Sequence, residues 1–217
     1  MLAFYGGLLA LGIALGWMTG GRLSGIMQLR VQFTWLLWLG LVLQGSQYVP
    51  ALRLDPSGAG HRLLLLTSYG TAAAWLLLNA ARQRNYGLRA GITVVSLGWA
   101  LNAAVVVANN GMPVSVAASK RAGIIHAASG SAIYHGQLYK HIYETSATWL
   151  RPLGDVIPVR PLHAVVSPGD LALWLGVVIT IAAAMGTARM GAGQNSAASA
   201  SPAAPPQGAG RAAIPRA

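Results

Sequence analysis

The sequence predicts an all-α polytopic membrane protein. It has about five transmembrane helices, an ordered extracytoplasmic loop between the fourth and fifth, and a disordered C-terminal tail. Three observations predict this. Only 9% of the 217 residues are charged and 54% are hydrophobic, whereas a soluble domain carries roughly 25% Asp, Glu, Lys and Arg. The mean hydropathy is +0.52. The few charges also lie between long apolar stretches and not within them. An ordinary cytosolic enzyme, a disordered acidic chain and a collagen-like fibre are thereby excluded.

The first span is 1–21, apolar from Met1. It lacks a basic leader region and reads as a retained helix, not a cleaved signal. The other spans are 31–52, 63–81, 90–108 and 171–188. A helix rises ~1.5 Å per residue and the hydrocarbon core is ~30 Å thick, so about 20 residues suffice. The backbone must pair with itself in lipid, which demands helices, and the alternating segments of a β-barrel are missing.

Basic residues set the orientation. Arg22, Arg30, Arg82, Arg84, Arg89 and Arg189 fall on one side, and Arg53 and Arg62, partly offset by Asp55, on the other. The positive-inside rule puts the N-terminus outside and the C-terminus in the cytoplasm. The net charge of +11 is dispersed between apolar blocks and belongs to topology and lipid headgroups, so no nucleic-acid partner is expected. With no cysteine, disulfides, thiolate zinc sites and iron–sulfur clusters are excluded. No cofactor is expected.

The segment 109–170 is long for a connection, yet it carries Ile, Leu, Tyr and Trp residues throughout. It reads as an ordered outer cap, helical around Tyr134–Leu150 and extended from Leu153 to Val166, where prolines and β-branched residues concentrate. The tail 191–217 is Ala, Gly, Ser, Pro and Gln with two Arg and offers too little apolar bulk to order itself.

Several groups of residues are candidates for function. Gly12, Gly16 and Gly20 repeat every four residues on the first span. They fit close packing against another helix of the chain or against a second copy in a homodimer. Ser167, Pro168 and Asp170 match a helix-capping box. Gln44 and Gln47 on the second span and Asn102, Asn109 and Asn110 at the end of the fourth lie in the outer half of the membrane. With Asp155 and Asp170 they form a candidate polar binding cluster under the cap. Buried amides also pair across helices, which is the simpler reading. Two outer carboxylates, Asp155 and Asp170, suit a cation or a basic substrate. Asp155 beside Gly154 also suits the bracing of a turn. The histidines nearest to a metal set are His126, His135 and His141, but their spacing matches no zinc motif. Gly111 is placed to end the fourth helix in a left-handed turn, with Pro113 preventing its continuation. No phosphate loop or nucleophile elbow occurs, and no catalytic residue is assigned. These features favour a binding, scaffold or assembly component, then a small permease-like subunit, then a membrane enzyme using the His and Asp residues of the cap.

Two segments together carry a family resemblance. Asn102 and Val105 are followed by Asn109, Asn110, Gly111, Met112, Pro113, Val114 and Ser115. Then come His141, Thr148, the run Leu153, Gly154, Asp155, Val156, Ile157 and Pro158, and finally Ser167 through Leu171. In order and spacing the chain resembles the bacterial multi-pass membrane family catalogued as domain of unknown function 5317. The resemblance extends in layout over most of residues 1–188 and is specific over 102–175. It implies a bacterial cell membrane and implies no activity.

Overall fold

The computed structural model describes residues 2–27, 29, 31–46, 49, 54–55, 58–124 and 141–199, with only the backbone of residues 2–3 and 187–199. Five longer helices stand side by side: α1 (Leu2–Met18), α3 (Thr34–Ser46), α4 (Ala59–Arg82), α5 (Tyr86–Asn109) and α7 (Pro168–Ser199). Their packing order in space is α3, α4, α5, α7, α1. The short helix α2 (Ser24–Met27) closes the far end of α1 against α7.

Three of these helices are long and apolar enough to cross a membrane: Ala59–Arg82, Tyr86–Asn109 and Pro168–Gly186. Their outer faces expose Leu63, Leu77, Leu97 and Leu175, the inverse of a water-facing helix, and point to membrane association. The other two are apolar but shorter. Helix α3, with 13 residues, rises only about 20 Å. The expected span 31–52 is thus cut back at its start, because Phe33 takes a left-handed φ of 54° and the helix begins at Thr34. Helices α4 and α5 overrun their expected bounds. Arg62, Arg82 and Arg89 lie inside them with exposed side chains, because a charged side chain at a helix end reaches outward while its backbone stays in the ladder, whereas His61 in the first turn of α4 is buried.

Neighbouring helices run antiparallel, apart from α1 and α7. Tyr69 of α4 stacks on Trp99 of α5 at 5.1 Å, and the Trp99 indole N–H donates to the Tyr69 carbonyl at 3.0 Å. The α5–α7 contact is the most extensive. There Gly91 and Gly98 face Thr180 and Leu173, while Gly176 faces Val95. A methyl at Gly176 would come within 2.6 Å of the Val95 side chain and 2.9 Å of the Gly91 carbonyl oxygen.

The stripe of the first span is occupied within the chain. Gly12 and Gly16 are buried against Ile181 and Met185 of α7, the close packing against another helix of the chain that the spacing fits. Gly20 is exposed beyond the helix end, with φ 79°. The Arg22 N–H donates to the Met185 carbonyl at 3.0 Å and locks the turn to α7.

The cap departs from an all-α description. Strand β1 (Met112–Val114) follows α5 and pairs in parallel with β2 (His141–Tyr143), and α6 (Val116–Arg121) lies after β1. Strands β3 (Ile157–Val159) and β4 (Ala164–Val166) form an antiparallel pair, as the prolyl, β-branched run predicted. The helix expected around Tyr134–Leu150 is contradicted from His141 onward, where the chain is a strand and then turns. Residues 134–140 lie outside the described residues. Ile142 and Tyr143 find their backbone partners on β1, so the segment pairs across and not within itself.

The end of α5 is also resolved differently. Asn110, not Gly111, takes the left-handed conformation, at φ 55° and ψ 27°. Both N–H groups then donate to the Val106 carbonyl. Asparagine tolerates this region, and the buried Gly111 continues into β1. At the other end of the chain the helical ladder of α7 runs to Ser199, into the segment expected to be disordered from residue 191. Its alanines favour a helix already nucleated upstream. Residues 200–217 lie outside the described residues.

The α5–α7 contact makes a prediction. Gly176→Ala should cost about 1–3 kcal/mol through overpacking, read as a lower melting temperature in detergent. Gly70→Ala, where a methyl meets nothing within 4 Å, should leave the melting temperature unchanged or raise it.

Candidate functional site

A cavity of about 310 Å³ lies where the cap meets the adjoining ends of α1, α4, α5 and α7. Its polar lining is Asn102, His141, Asp155, Asp170, Tyr5 and Tyr69. Phe4, Trp174, Val106 and Met112 supply apolar wall. Phe4 and Trp174 meet edge to face at 4.5 Å, which ties the start of α1 to the start of α7.

One side of the cavity is a closed hydrogen-bonded cluster. Ser167 precedes α7 as its cap. Its hydroxyl accepts the Asp170 N–H at 2.9 Å, and its N–H donates to Asp170 Oδ2 at 3.0 Å. This is the reciprocal capping box the sequence predicts. Asn102 of α5 extends it across the helix interface. Its Nδ2 donates to Asp170 Oδ1 at 2.8 Å, and its Oδ1 accepts the Ser167 hydroxyl at 2.8 Å. The cluster needs the neighbouring Gly169, because a methyl there would lie 2.6 Å from Asn102 Cγ.

The other side is built by the cap backbone. The Asp155 N–H donates to the Pro113 carbonyl at 2.8 Å, and the Asp155 carbonyl accepts the Ser115 N–H at 2.9 Å. Strand β1 is therefore paired on both edges, with β2 and with Asp155. Gly154 makes this approach possible, since a methyl there would sit 2.7 Å from the Pro113 oxygen. The turn at 151–154 is thus braced by the backbone of Asp155, and its carboxylate lines the cavity instead. His141 Nε2 lies 3.5 Å from Asp155 Oδ2, an ion pair when the imidazole is protonated.

Burial away from water pushes the Asp155 carboxyl up, and the facing Asp170 carboxylate pushes the same way, to about 7. Asp155 thus exchanges its proton near neutral pH.

Of the candidate residues, Asn102, Asp155, Asp170 and His141 converge on this cavity. Asn109 and Asn110 do not. Asn109 clasps a distant peptide: its Nδ2 donates to the Trp149 carbonyl at 3.0 Å, and its Oδ1 accepts the Trp149 N–H at 2.9 Å. Asn110 Oδ1 accepts from Arg62 Nε at 3.4 Å. Gln44 is on α3, which packs mainly on α4 and does not line the cavity. Gln47, His126 and His135 lie outside the described residues. Among the described residues no three His, Asp or Glu side chains group as a metal site. The aromatic residues Phe4, Tyr5, Tyr69 and Trp174 were not singled out in the sequence. Their one signal is that Tyr5 and Trp174 both stand near the starts of their apolar stretches.

The profile of DUF5317, a family of unknown function, matches residues 28–182. The chain belongs to this family. No curated protein and no solved structure matches it. The matched region holds every residue of the Asn102–Ser167–Asp170 cluster together with His141 and Asp155. The family profile begins after α1, so Phe4 and Tyr5 complete the cavity from outside the matched region.

The raised Asp155 pKa fixes the sign of a pH effect. Between about pH 4 and the folded value of about 7, the folded protein holds a proton that the unfolded chain has released. Stability from this group is therefore fully present below about pH 4. It is lost as pH rises to about 7 and is flat above. Thermal denaturation in detergent should show the melting temperature declining over this window. Asp155→Asn should flatten that decline.

Proposed function

We propose that this chain is an integral membrane protein that binds a small organic cation in the cavity under its outer cap, acting as a binding component and not as an enzyme. The observation that carries this reading is the convergence of two carboxylates, Asp155 and Asp170, on a cavity also walled by Tyr5, Tyr69, Phe4 and Trp174. Carboxylates neutralise an ammonium group, and aromatic faces attract it further. The volume of about 310 Å³ suits a small molecule, at the lower end of the usual ~300–1,000 Å³. Asn102 holds Asp170 in place, so the site is largely organised before a ligand arrives.

The protonatable Asp155 favours a second reading, a permease-like subunit that exchanges a proton for the cation. Uptake into liposomes driven by a pH gradient, and lost in Asp155→Asn, would select it over a pure binding role.

The setting we propose is a bacterial cell membrane with five spans, in which α1 and α3 cross as well. The N-terminus is outside and the C-terminus cytoplasmic. The basic short loops and the common end shared by the cap, Phe4 and Asp170 support this arrangement.

Two measurements test these readings. In calorimetric titration at pH 8, choline or putrescine should bind the purified protein. The affinity should fall about tenfold at pH 6 as Asp155 takes up its proton. Asp155→Asn should weaken binding and remove the pH dependence, while Gln44→Ala, outside the cavity, should change neither. Absence of binding by every amine tried at pH 8 would sink the cation reading. The topology is tested by single cysteines, since the chain has none of its own. A membrane-impermeant maleimide should label Ala147→Cys in intact cells and Ser24→Cys only after lysis.

A further inference from the structure

The cavity under the cap discriminates among cations through what its polar walls already hold. Among the described residues that line it there is no Lys or Arg, so Asp155 and Asp170 set its field. Their oxygens are engaged. Asp170 Oδ1 accepts from Asn102 Nδ2 at 2.8 Å, and Oδ2 accepts the Ser167 N–H at 3.0 Å. Asp155 Oδ2 faces His141 Nε2 at 3.5 Å. The amide oxygen of Asn102 takes the Ser167 hydroxyl at 2.8 Å. A primary ammonium carries three N–H donors and is strongly hydrated. In this cavity it would leave water and have to share acceptors already in use, and an unmet donor away from water is costly.

A fully alkylated ammonium makes no such demand. It carries the charge without an N–H, and its methyl groups gain by leaving water. It needs a negative field and aromatic surface. Four rings line the cavity: Phe4 and Tyr5 of α1, Tyr69 of α4 and Trp174 of α7. They brace one another. Phe4 meets Trp174 at 4.5 Å and Tyr5 at 5.6 Å, both edge to face, and Tyr69 is backed by Trp99 at 5.1 Å. An edge-to-face contact covers at most one face of one ring, so such pairs hold the rings without using up their π surface. Helix α1 brings two of the four rings and no carboxylate. Recognition of charge and recognition of alkyl groups therefore reside on different elements.

We infer that the ligand of this cavity bears a quaternary ammonium head, held by the two carboxylates and the rings without a hydrogen bond to its nitrogen, and that Phe4 and Tyr5 set the preference for it over a primary amine. The inference rests on the cation reading above and narrows it.

Calorimetric titration of the full chain in detergent at pH 8 tests it, with methylammonium, dimethylammonium, trimethylammonium and tetramethylammonium chlorides as ligands. All four carry one positive charge at that pH, so the series varies N–H against methyl alone. Affinity should rise along it, with tetramethylammonium bound about tenfold more tightly than methylammonium. Phe4→Leu with Tyr5→Leu keeps an apolar wall and removes two rings. It should weaken tetramethylammonium binding about threefold for each ring and leave methylammonium unchanged. Should the double variant not fold, Tyr5→Leu alone, at a half-exposed position, carries the same test with a loss of about threefold. Trp149→Leu, an exposed aromatic outside the cavity, should match the parent. Methylammonium bound as tightly as tetramethylammonium, or an α1 variant that keeps the full preference, overturns the proposal and leaves the cation reading standing. Binding of none of the four refutes both.

Discussion

Where α5 and α7 cross, Gly91 and Gly98 on one helix and Gly169 and Gly176 on the other bring backbone against backbone. In an apolar solvent there is no hydrophobic gain in pressing two helices together, so dispersion contacts and interhelical hydrogen bonds must hold them. Close approach is the condition for both. It lets Asn102 reach across to Asp170 and to the Ser167 hydroxyl, which larger residues at Gly98 and Gly169 would prevent. Helix α1 then packs on the opposite side of α7 through Gly12 and Gly16. The positions of α1, α5 and the cap strand β4 all follow from that of α7.

The cap uses a different device. Strand β1 leaves α5 at Asn110 and is paired along both edges, which is how a three-residue strand is held rigidly at a helix end. That pairing places His141 and Asp155 on either side of the same short strand. The side chain of Asp155, two residues beyond the 3-10 turn Arg151–Leu153, thus becomes part of a cavity whose far wall is made of helices. Two asparagines reinforce the arrangement at opposite ends of the bundle. Asn79 and Asn109 each present an amide to the peptide of a distant residue, Gln32 and Trp149. Each amide satisfies a donor and an acceptor at once.

Much of this was legible in the sequence. Charge-free stretches located the helices, and Ser167 with Asp170 announced the cap of α7, because capping is local and depends on spacing alone. The convergence of Asn102, Asp155 and Asp170 was legible as a grouping at one depth, since depth follows from position along a span. Their pairing was not, because it depends on which helices are neighbours. Gln44 shares that depth but belongs to α3, which α4 separates from α5. Asn109 shares it too but turns toward the Trp149 peptide. The strand at 141–143 was misread as helix because its pattern of branched and aromatic residues suits either period over so few positions. Its partner lies some thirty residues earlier in the chain.

The bond from Asn102 to Asp170 spans 68 residues of sequence. A ribosome delivers α5 well before α7 exists, so during synthesis the Asn102 amide waits with its final partners not yet made. Gly12 and Gly16 likewise wait for Ile181 and Met185, a separation longer than the whole matched region. The last helix to emerge therefore finishes the interfaces that the earlier ones leave open. A nascent chain arrested before Pro168 would present an unpaired amide and two bare glycine grooves to its surroundings. Quality-control proteases and membrane chaperones have such features by which to recognise an unfinished protein.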